Sequence, residues 1–238
     1  MLKPLPIRPA LLLFDIDGTL LVRAADAHRD ALYLALREVY GLPDPAAAHV
    51  EAAGRTDLEI ARHILIELGV SARRIDDRLE DLRAVAVERY AELCPDSLAD
   101  HVAPGMPGLL EELSARDDVR LSLVTGNLEP IARLKLRRAG LAAFFPGGQG
   151  GFGSDHEDRT ELPAIARTRA GRKGSPHPRE RTWVIGDTPR DVACAHADGV
   201  RCVAVATGPF AAEALRDADA LASSAGELRS ILEAELAR

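Results

Sequence analysis

Two carboxylates two positions apart, Asp15 and Asp17, directly follow an apolar run and precede Gly18. In an extended backbone, residues i and i+2 point to the same side, so both carboxylates are expected to face one ligand. Such a pair suits phosphate-ester cleavage. Ionised Asp15 would attack phosphorus and become an aspartyl-phosphate, while protonated Asp17 would give its proton to the leaving alkoxide and later take one from water. Gly18 permits a tight turn in which backbone N–H groups approach the phosphoryl oxygens.

A second polar turn, formed by Thr125, Gly126 and Asn127, follows another apolar run. The Thr125 hydroxyl and the Gly126 N–H have the donor chemistry to hold a phosphoryl oxygen. Asn127 stands beside them as a candidate phosphate or substrate contact. By itself the tripeptide is typical of an ordinary turn, but in a chain that also carries the Asp15–Asp17 pair we expect it to bind phosphate.

A third turn supplies Asp187, with Asp191 one helical turn later. Magnesium prefers oxygen ligands in an octahedron and keeps several waters. We expect Asp15, Asp187 and the backbone carbonyl of Asp17 to bind Mg²⁺, which would shield the attacking carboxylate from the anionic phosphate. Asp191 is either part of the same site, a solvated helix residue or a charge partner of a helix N-terminus.

The elements that must position these turns are four short apolar runs, at residues 10–14, 119–124, 182–185 and 201–206. Near-continuous apolar runs of this length predict strands buried on both faces, as in a parallel sheet. Helical patterns lie between them, at residues 107–113, 129–139 and 189–198. The alternation predicts an α/β doubly wound, Rossmann-like fold, in which ligands bind beyond the carboxyl ends of the strands.

One stretch, residues 22–99, shows no convincing strand and only helical spacing, for example at Ile60, Ile64 and Leu68. We predict an all-helical cap inserted after the first strand. The expected division is a core of residues 1–21 and 101–238 and a cap of residues 22–100. Residues 143–158 and 170–181, rich in glycine or in charged residues and proline, are predicted loops.

Composition excludes some classes of function. The chain has 238 residues with a formal net charge of -7, which argues against a nucleic-acid partner. Cys94, Cys194 and Cys202 have no metal-ligand spacing and predict reduced thiols. The first apolar run is too short for a signal sequence or a membrane span. We therefore expect a soluble cytoplasmic protein without a membrane partner, and the sequence leaves its oligomeric state open.

These motifs resemble those of one known family. Asp-Ile-Asp-Gly-Thr-Leu at 15–20, Thr-Gly-Asn at 125–127 and Gly-Asp-Thr-Pro-Arg-Asp at 186–191 are similar to the first, second and fourth motifs of the haloacid dehalogenase superfamily. The helical insert resembles the cap of its phosphoglycolate-phosphatase-like branch. The resemblance implies that Asp15 is the nucleophile, Asp17 the acid/base, Thr125 a phosphate ligand and Asp187 a magnesium ligand.

One family element departs from the usual pattern. A lysine commonly lies some 25 to 30 residues before the last aspartate motif, but the corresponding stretch, 155–160, has no lysine and places Arg159 there. Lys135, on the helix after Thr125, is the other candidate. Arginine brings a fixed fork and a permanent charge, so the two cations are not equivalent. We prefer Lys135 as the catalytic cation, with Arg159 nearby.

In the cap, residues 54–57 precede a helix, so Thr56 or Asp57 is expected to cap it. In related caps a loop at this place reaches the substrate, which makes Arg55 a candidate contact. Asp26 and His28 are interpreted as surface residues. The predicted enzyme is a magnesium-dependent phosphatase of a small phosphorylated metabolite.

Three alternatives stay open: a phosphomutase, a carbon–halogen hydrolase and a non-catalytic binding protein. Dehalogenation needs neither an acid for its halide nor magnesium, so Asp17 and Asp187 argue against it. A binding protein on this fold would be expected to have lost Asp15, Asp17 or Asp187, and all three are present.

Overall fold

The computed structural model describes residues 9–237. Its core is a parallel sheet with the strand order β3-β2-β1-β4-β5-β6. The bounds of the strands are β1 Ala10–Phe14, β2 Val119–Thr125, β3 Gly151–Phe152, β4 Thr182–Gly186, β5 Arg201–Val205 and β6 Ala220–Ala222. The predicted α/β fold with a Rossmann-like parallel sheet is confirmed.

The sheet is covered on both faces, which explains why its strands are mostly apolar. Leu11 and Leu13 of β1 pack into one core cluster, while Leu12 and Phe14 pack into the other. The core helices are α5 Met106–Ser114, α6 Glu129–Arg138, α7 Leu162–Ala170, α8 Pro189–Ala197 and α9 Ala225–Leu236. Helices α7 and α8 cover the Leu11 face, and α5, α6 and α9 cover the other.

Two short strands were not predicted. The stretch 143–158, interpreted as a loop, contains β3, and residues 220–222 form β6. Both have only two or three residues, too few for a periodic pattern. They form because an existing strand edge offers partners: Val124 of β2 pairs with Gly151, and Val205 of β5 pairs with Ala222.

The insert after β1 is helical, as predicted. Its helices are α1 Asp26–Tyr40, α2 Asp57–Glu67, α3 Ala72–Asp77 and α4 Leu79–Leu93, and no strand occurs between residues 22 and 100. Leu21 and Val102 pair in an isolated antiparallel bridge, so the chain enters and leaves the cap side by side. The division at residues 22 and 100 stays a prediction, and residues 1–8 of the first core segment lie outside the described residues.

Across residues 9–237, none of the helices combines the length and the apolar character needed to cross a bilayer.

Candidate active site

Three neighbouring strands, β2, β1 and β4, end at the same edge of the sheet and deliver the predicted side chains there. Asp15 and Asp187 directly follow β1 and β4, and the Asp15 N–H donates to the Ile185 carbonyl at 2.9 Å. The edge opens into a cavity of about 650 Å³ that extends under the cap. We call its core side the floor; the floor is formed by Asp15, Asp17, Arg159 and Asp187.

Three buried carboxylates meet at the floor. One oxygen from each of Asp15, Asp187 and Asp191 lies within 4.8 Å of the other two. Asp187 accepts a hydrogen bond from the Thr19 hydroxyl at 3.0 Å through Oδ1, but its buried Oδ2 has no hydrogen-bond partner. A buried carboxylate oxygen without a donor, beside two further carboxylates, fits a hard divalent cation such as Mg²⁺.

The electrostatics of the floor agree with this fit. Burial raises the pKa of Asp15 to about 7 even though Arg159 counteracts it, and burial raises the pKa of Asp187 to about 8, with Asp15 and Asp191 adding to the shift. Carboxyl groups behave this way when they share a site that holds too little positive charge. A bound divalent cation would supply that charge.

Asp191 differs from the interpretation as a solvated helix residue, because it is completely buried. Its Oδ2 accepts from the Thr188 N–H at 2.9 Å and from the Thr188 hydroxyl at 2.7 Å, and this capping box starts α8. Its Oδ1 forms a close ion pair with Arg159. Asp191 thus satisfies the helix N-terminus and fixes a cation next to Asp15.

The two candidate cations contact different aspartates. Arg159, from a short 3-10 turn before α7, is buried and places its Nη2 3.2 Å from Oδ1 of Asp15. Lys135, on α6, is completely buried and places its Nζ 2.8 and 2.6 Å from the two oxygens of Asp17. Arg159 is therefore the cation beside the nucleophile candidate, Asp15, and Lys135 is the cation beside the acid/base candidate, Asp17.

Asp17 is held by donors on two sides. Besides Lys135, Nδ2 of Asn127 donates to Asp17 Oδ2 at 2.9 Å. Burial pushes the pKa of Asp17 upward, but the charge of Lys135 and the hydrogen bonds from Lys135 and Asn127 outweigh it, so the net pKa lies below its ordinary value. Asp17 is therefore ionised here, whereas the sequence analysis expected it to be held protonated. The buried Lys135 ammonium that keeps it ionised comes from a distant helix, and no sequence pattern marks the pairing.

A chain of polar contacts continues from Lys135 into the cap. Its Nζ lies 3.1 Å from Nδ1 of His28, and Nε2 of His28 lies 3.1 Å from Oδ2 of Asp57. An ammonium group only donates, so Nδ1 accepts and Nε2 carries the proton that is donated to Asp57. Asp57 Oδ2 also accepts from the Leu128 N–H at 2.8 Å, which ties the cap to α6.

This chain of contacts was not predicted from the sequence. His28, interpreted there as a surface residue, has a mostly buried side chain that lines the cavity. Asp57 was one of two candidate helix caps; the cap of α2 is Thr56, whose side chain accepts from the Glu59 N–H. No local signal marks His28 or Asp57, because their partners come from other elements.

The predicted phosphate ligands differ in whether they face the cavity. Gly126 and Asn127 line the cavity, whereas Thr125 is completely buried and its hydroxyl accepts from the Asn127 N–H at 3.4 Å. Gly126 has no room for a Cβ, because the Arg55 carbonyl lies against it. The Gly126 carbonyl accepts from the Asp57 N–H at 2.9 Å, so the cap loop docks on this turn.

Gly18 and Arg55 already form hydrogen bonds or ion pairs within the protein. Gly18 has a left-handed φ of 89° and lies against the Asp187 carboxylate, where a side chain would clash. Its N–H donates to the Leu21 carbonyl at 2.7 Å, so that group is not free for a phosphoryl oxygen. Arg55 lines the cavity, but its guanidinium pairs closely with Glu59 and its Nε donates to the Glu51 carbonyl at 3.0 Å.

The fold and the site together define a class of hydrolases. Its features are an α/β core, an aspartate nucleophile candidate at a strand end, buried acids beside it and a helical cap above. Residues 12–196 match the family model of haloacid dehalogenase-like hydrolases. The chain is also 32% identical over 205 residues to a phosphoglycolate phosphatase of Rhodospirillum rubrum, an alignment that covers 84% of this chain and 80% of the relative. The chain belongs to the haloacid dehalogenase-like hydrolase family, which confirms the resemblance found in the sequence.

Solved structures share the fold. A hydrolase from Pseudomonas syringae superposes with a TM-score of 0.67 at 20% identity, over 94% of this chain and 98% of that one. A mutant of CbbY from Rhodobacter sphaeroides, in complex with xylulose-(1,5)bisphosphate, gives a TM-score of 0.65 at 20% identity, over 92% and 96% of the two chains. At this identity the likeness establishes the fold. The prediction of an enzyme, a phosphomonoester hydrolase of this family, agrees with these comparisons.

Proposed function

We propose that the chain is a magnesium-dependent phosphatase that hydrolyses a small phosphorylated metabolite through an aspartyl-phosphate on Asp15. One observation carries the proposal: Asp15 lies on the cavity floor between the Arg159 guanidinium and a carboxylate cluster whose Asp187 Oδ2 has no partner. The phosphatase relative, and the bisphosphate bound by the structurally similar CbbY mutant, support a phosphorylated small molecule as the substrate.

The reaction proceeds in two displacements. An Asp15 oxygen forms a bond to phosphorus while the ester P–O bond breaks, and Asp17 gives its proton to the departing alkoxide. Asp17 then takes a proton from water, whose oxygen attacks the phosphorus and releases phosphate from Asp15. The phosphate dianion of the substrate raises the pKa of the nearby Asp17, because a like charge disfavours ionisation, and so lets Asp17 carry the proton that it first donates.

The floor supplies the charge that these steps need. Arg159 keeps Asp15 in place and offsets part of the negative charge, and Lys135 holds Asp17 on the same side of the cavity. Asp15, Asp187 and the backbone carbonyl of Asp17 would hold Mg²⁺. The ion would stabilise the charge that develops on the phosphoryl oxygens.

Substrate contacts are assigned to the turn after β2 and to the cap loop. Asn127 and Gly126 line the cavity next to Asp17 and are proposed phosphate ligands together with Thr125. Arg55 is a proposed contact of the cap loop, and it would have to leave Glu59 to reach a substrate.

A kinetic experiment tests the proposal. Hydrolysis of para-nitrophenyl phosphate by the purified protein should require Mg²⁺, stop on chelation and resume when Mg²⁺ is added back. Asp15→Asn should lower kcat by roughly a thousandfold or more, since the nucleophile is lost. Asp30→Asn, an exposed carboxylate on α1, is the matched control and should retain full activity.

Two results would count against it. Unchanged turnover by Asp15→Asn would remove this residue from the nucleophile role. Transfer of the phosphoryl group to a second hydroxyl of the substrate, without release of inorganic phosphate, would identify a phosphomutase.

A further inference from the structure

One part of the cap side of the cavity is apolar, although Arg23, Arg29 and Arg55 also line that side. We call the apolar part the roof; it is formed by Val22, Leu32, Tyr33, Val50, Ile60 and Ile64. Each of these side chains also belongs to the main core cluster or packs against it. The roof is therefore a fixed part of the cap, and among its six side chains the Tyr33 hydroxyl is the one hydrogen-bonding group.

Polarity changes in one direction along the two cap helices. At the start of α1 and α2, His28 and Asp57 contact each other and face the floor. One and two turns further, the same faces present Leu32 on α1 and Ile60 and Ile64 on α2. A ligand that extends from the floor into the cap thus passes the polar side chains of the cavity within one helical turn and then contacts apolar side chains.

The cations near the roof are mostly neutralised within the protein. Arg55 pairs with Glu59, and Arg29 pairs with Asp26 at 3.0 Å. Arg23 is exposed at the rim, and within residues 9–237 no ion pair is recorded for it. The roof itself holds no positive charge for a second anionic group of a substrate.

We propose that the preferred substrate is a phosphate monoester whose alcohol part carries an apolar segment of about four or more carbons, seated against the roof. This inference rests on the proposed phosphatase function and names its substrate class. A cavity of about 650 Å³ has the size that accommodates drug-sized ligands, well beyond a two-carbon phospho-acid. Burial of methylene groups against Ile60 and Ile64 would supply the binding energy.

A series of n-alkyl phosphates from ethyl to hexyl measures the effect directly. If each added methylene is fully buried, kcat/KM should rise up to about fourfold per carbon, the factor that corresponds to about 0.8 kcal/mol per methylene. Ethyl phosphate and 2-phosphoglycolate form a matched pair, because both have two carbons and only the second has a carboxylate. Because the roof offers no cation to the carboxylate, we expect 2-phosphoglycolate to be hydrolysed no more efficiently than ethyl phosphate and less efficiently than hexyl phosphate.

Two substitutions on α2 localise the effect. Ile60→Asn places an amide on the roof and should flatten the series, with at least a tenfold loss for hexyl phosphate and little change for ethyl phosphate. Ile66→Asn is the matched control, since Ile66 lies on the outer side of the same helix with 54% of its surface exposed. It should leave the whole series unchanged.

Binding of alkylphosphonates, whose P–C bond is not hydrolysed, separates this inference from the proposed function. Calorimetry should show affinity that rises with chain length in the wild type and not in Ile60→Asn. A flat series, or 2-phosphoglycolate preferred over every alkyl phosphate, overturns the inference. A rising binding series with no phosphate released from any ester would keep the roof as an apolar binding site and overturn the phosphatase proposal.

Discussion

The floor and the roof of the cavity are held in place by different forces. On the floor, ion pairs fix the geometry: Arg159 lies against Asp15, and Lys135, buried behind the floor, lies against Asp17. On the roof, residues such as Leu32 and Ile60 are held by packing alone. The floor must keep its geometry to within a hydrogen-bond length, whereas packed hydrocarbon tolerates changes of similar volume.

This difference assigns separate kinetic roles to the two regions. Groups that contact the reacting phosphoryl group stabilise the transition state, so their loss lowers kcat. Groups that contact only the alcohol part bind substrate and transition state alike, so their loss raises KM. Substitutions in the two regions should therefore separate into effects on kcat and effects on KM, and those in the polar chain from Asp57 to Asp17 should behave like the floor.

Substitution of Lys135 by methionine should produce a large loss on the floor. Methionine fills a similar volume but leaves Asp17 without its cation, and we expect kcat to fall about a hundredfold, the range of a general acid–base contribution. Because Lys135 is fully buried, the loss of one partner should also reduce the free energy of unfolding by about 3 kcal/mol, measured by urea denaturation. Lys173→Met, in an exposed loop, is the matched control.

The two readouts for Lys135 distinguish its roles. If stability falls while kcat stays at the wild-type value, Lys135 only fills and neutralises the core. If KM rises and kcat does not change, the floor is not separate from substrate binding, and the comparison with the roof fails.

The floor residues that could be predicted from the sequence are those whose position follows from the neighbouring residues in the chain. Asp15 and Asp187 stand directly after buried strands, and in a parallel sheet the ends of neighbouring strands meet at one edge. The strand pattern and the polar turns were therefore sufficient to place these two carboxylates together. The same reasoning predicted the helical cap, since α1, α2 and α4 carry regular apolar spacing.

What could not be predicted depends on contacts between distant elements. Lys135 and Asp17 are 118 positions apart, and their pairing is set by how α6 packs on the sheet. His28 looks like one of several surface histidines until the cap is folded over the core. The short strand β3 exists because β2 offers an edge for Gly151 and Phe152 to pair with, which composition alone does not reveal.

His28 lies at the boundary between the two regions and provides the next test. In His28→Asn, the shorter side chain cannot bridge Lys135 and Asp57, so Lys135 loses its fixed position. We expect kcat to fall about tenfold with little change in KM, because His28 acts through Lys135 as a positioning residue. His49→Asn, with an almost fully exposed side chain, should have no effect.

A double-mutant cycle makes the argument for His28 stricter. If His28 acts through Lys135, adding His28→Asn to Lys135→Met should cost little further activity, because the two residues are coupled. Fully additive losses would mean that His28 acts directly on the substrate and belongs to its binding surface.

The smallest expected effect concerns the stability of the floor without substrate. The folded-state pKa of Asp187, about 8, and that of Asp15, about 7, lie above the ordinary value of 3.8. The folded protein therefore holds both carboxyls in their neutral forms, which contributes to the free energy of unfolding. This stabilisation is complete below about pH 4 and is lost as the pH rises through about 7 to 8. Without metal, these two groups should make the protein less stable at pH 8.5 than at pH 6.

Magnesium should reverse this trend. At pH 6 the ion must displace protons from Asp15 and Asp187, while at pH 8.5 both are ionised, so Mg²⁺ should raise Tm more at the higher pH. A hundredfold excess over Kd adds about 2.7 kcal/mol, which corresponds to roughly 5–10 °C for a chain of this size. Thermal denaturation of Ile60→Asn should show the same increase as the wild type, since the roof does not contact the ion. A smaller increase in Tm for that variant would mean that the roof and the floor are energetically coupled. The floor could then no longer be assigned to catalysis and the roof to substrate selectivity as separate regions.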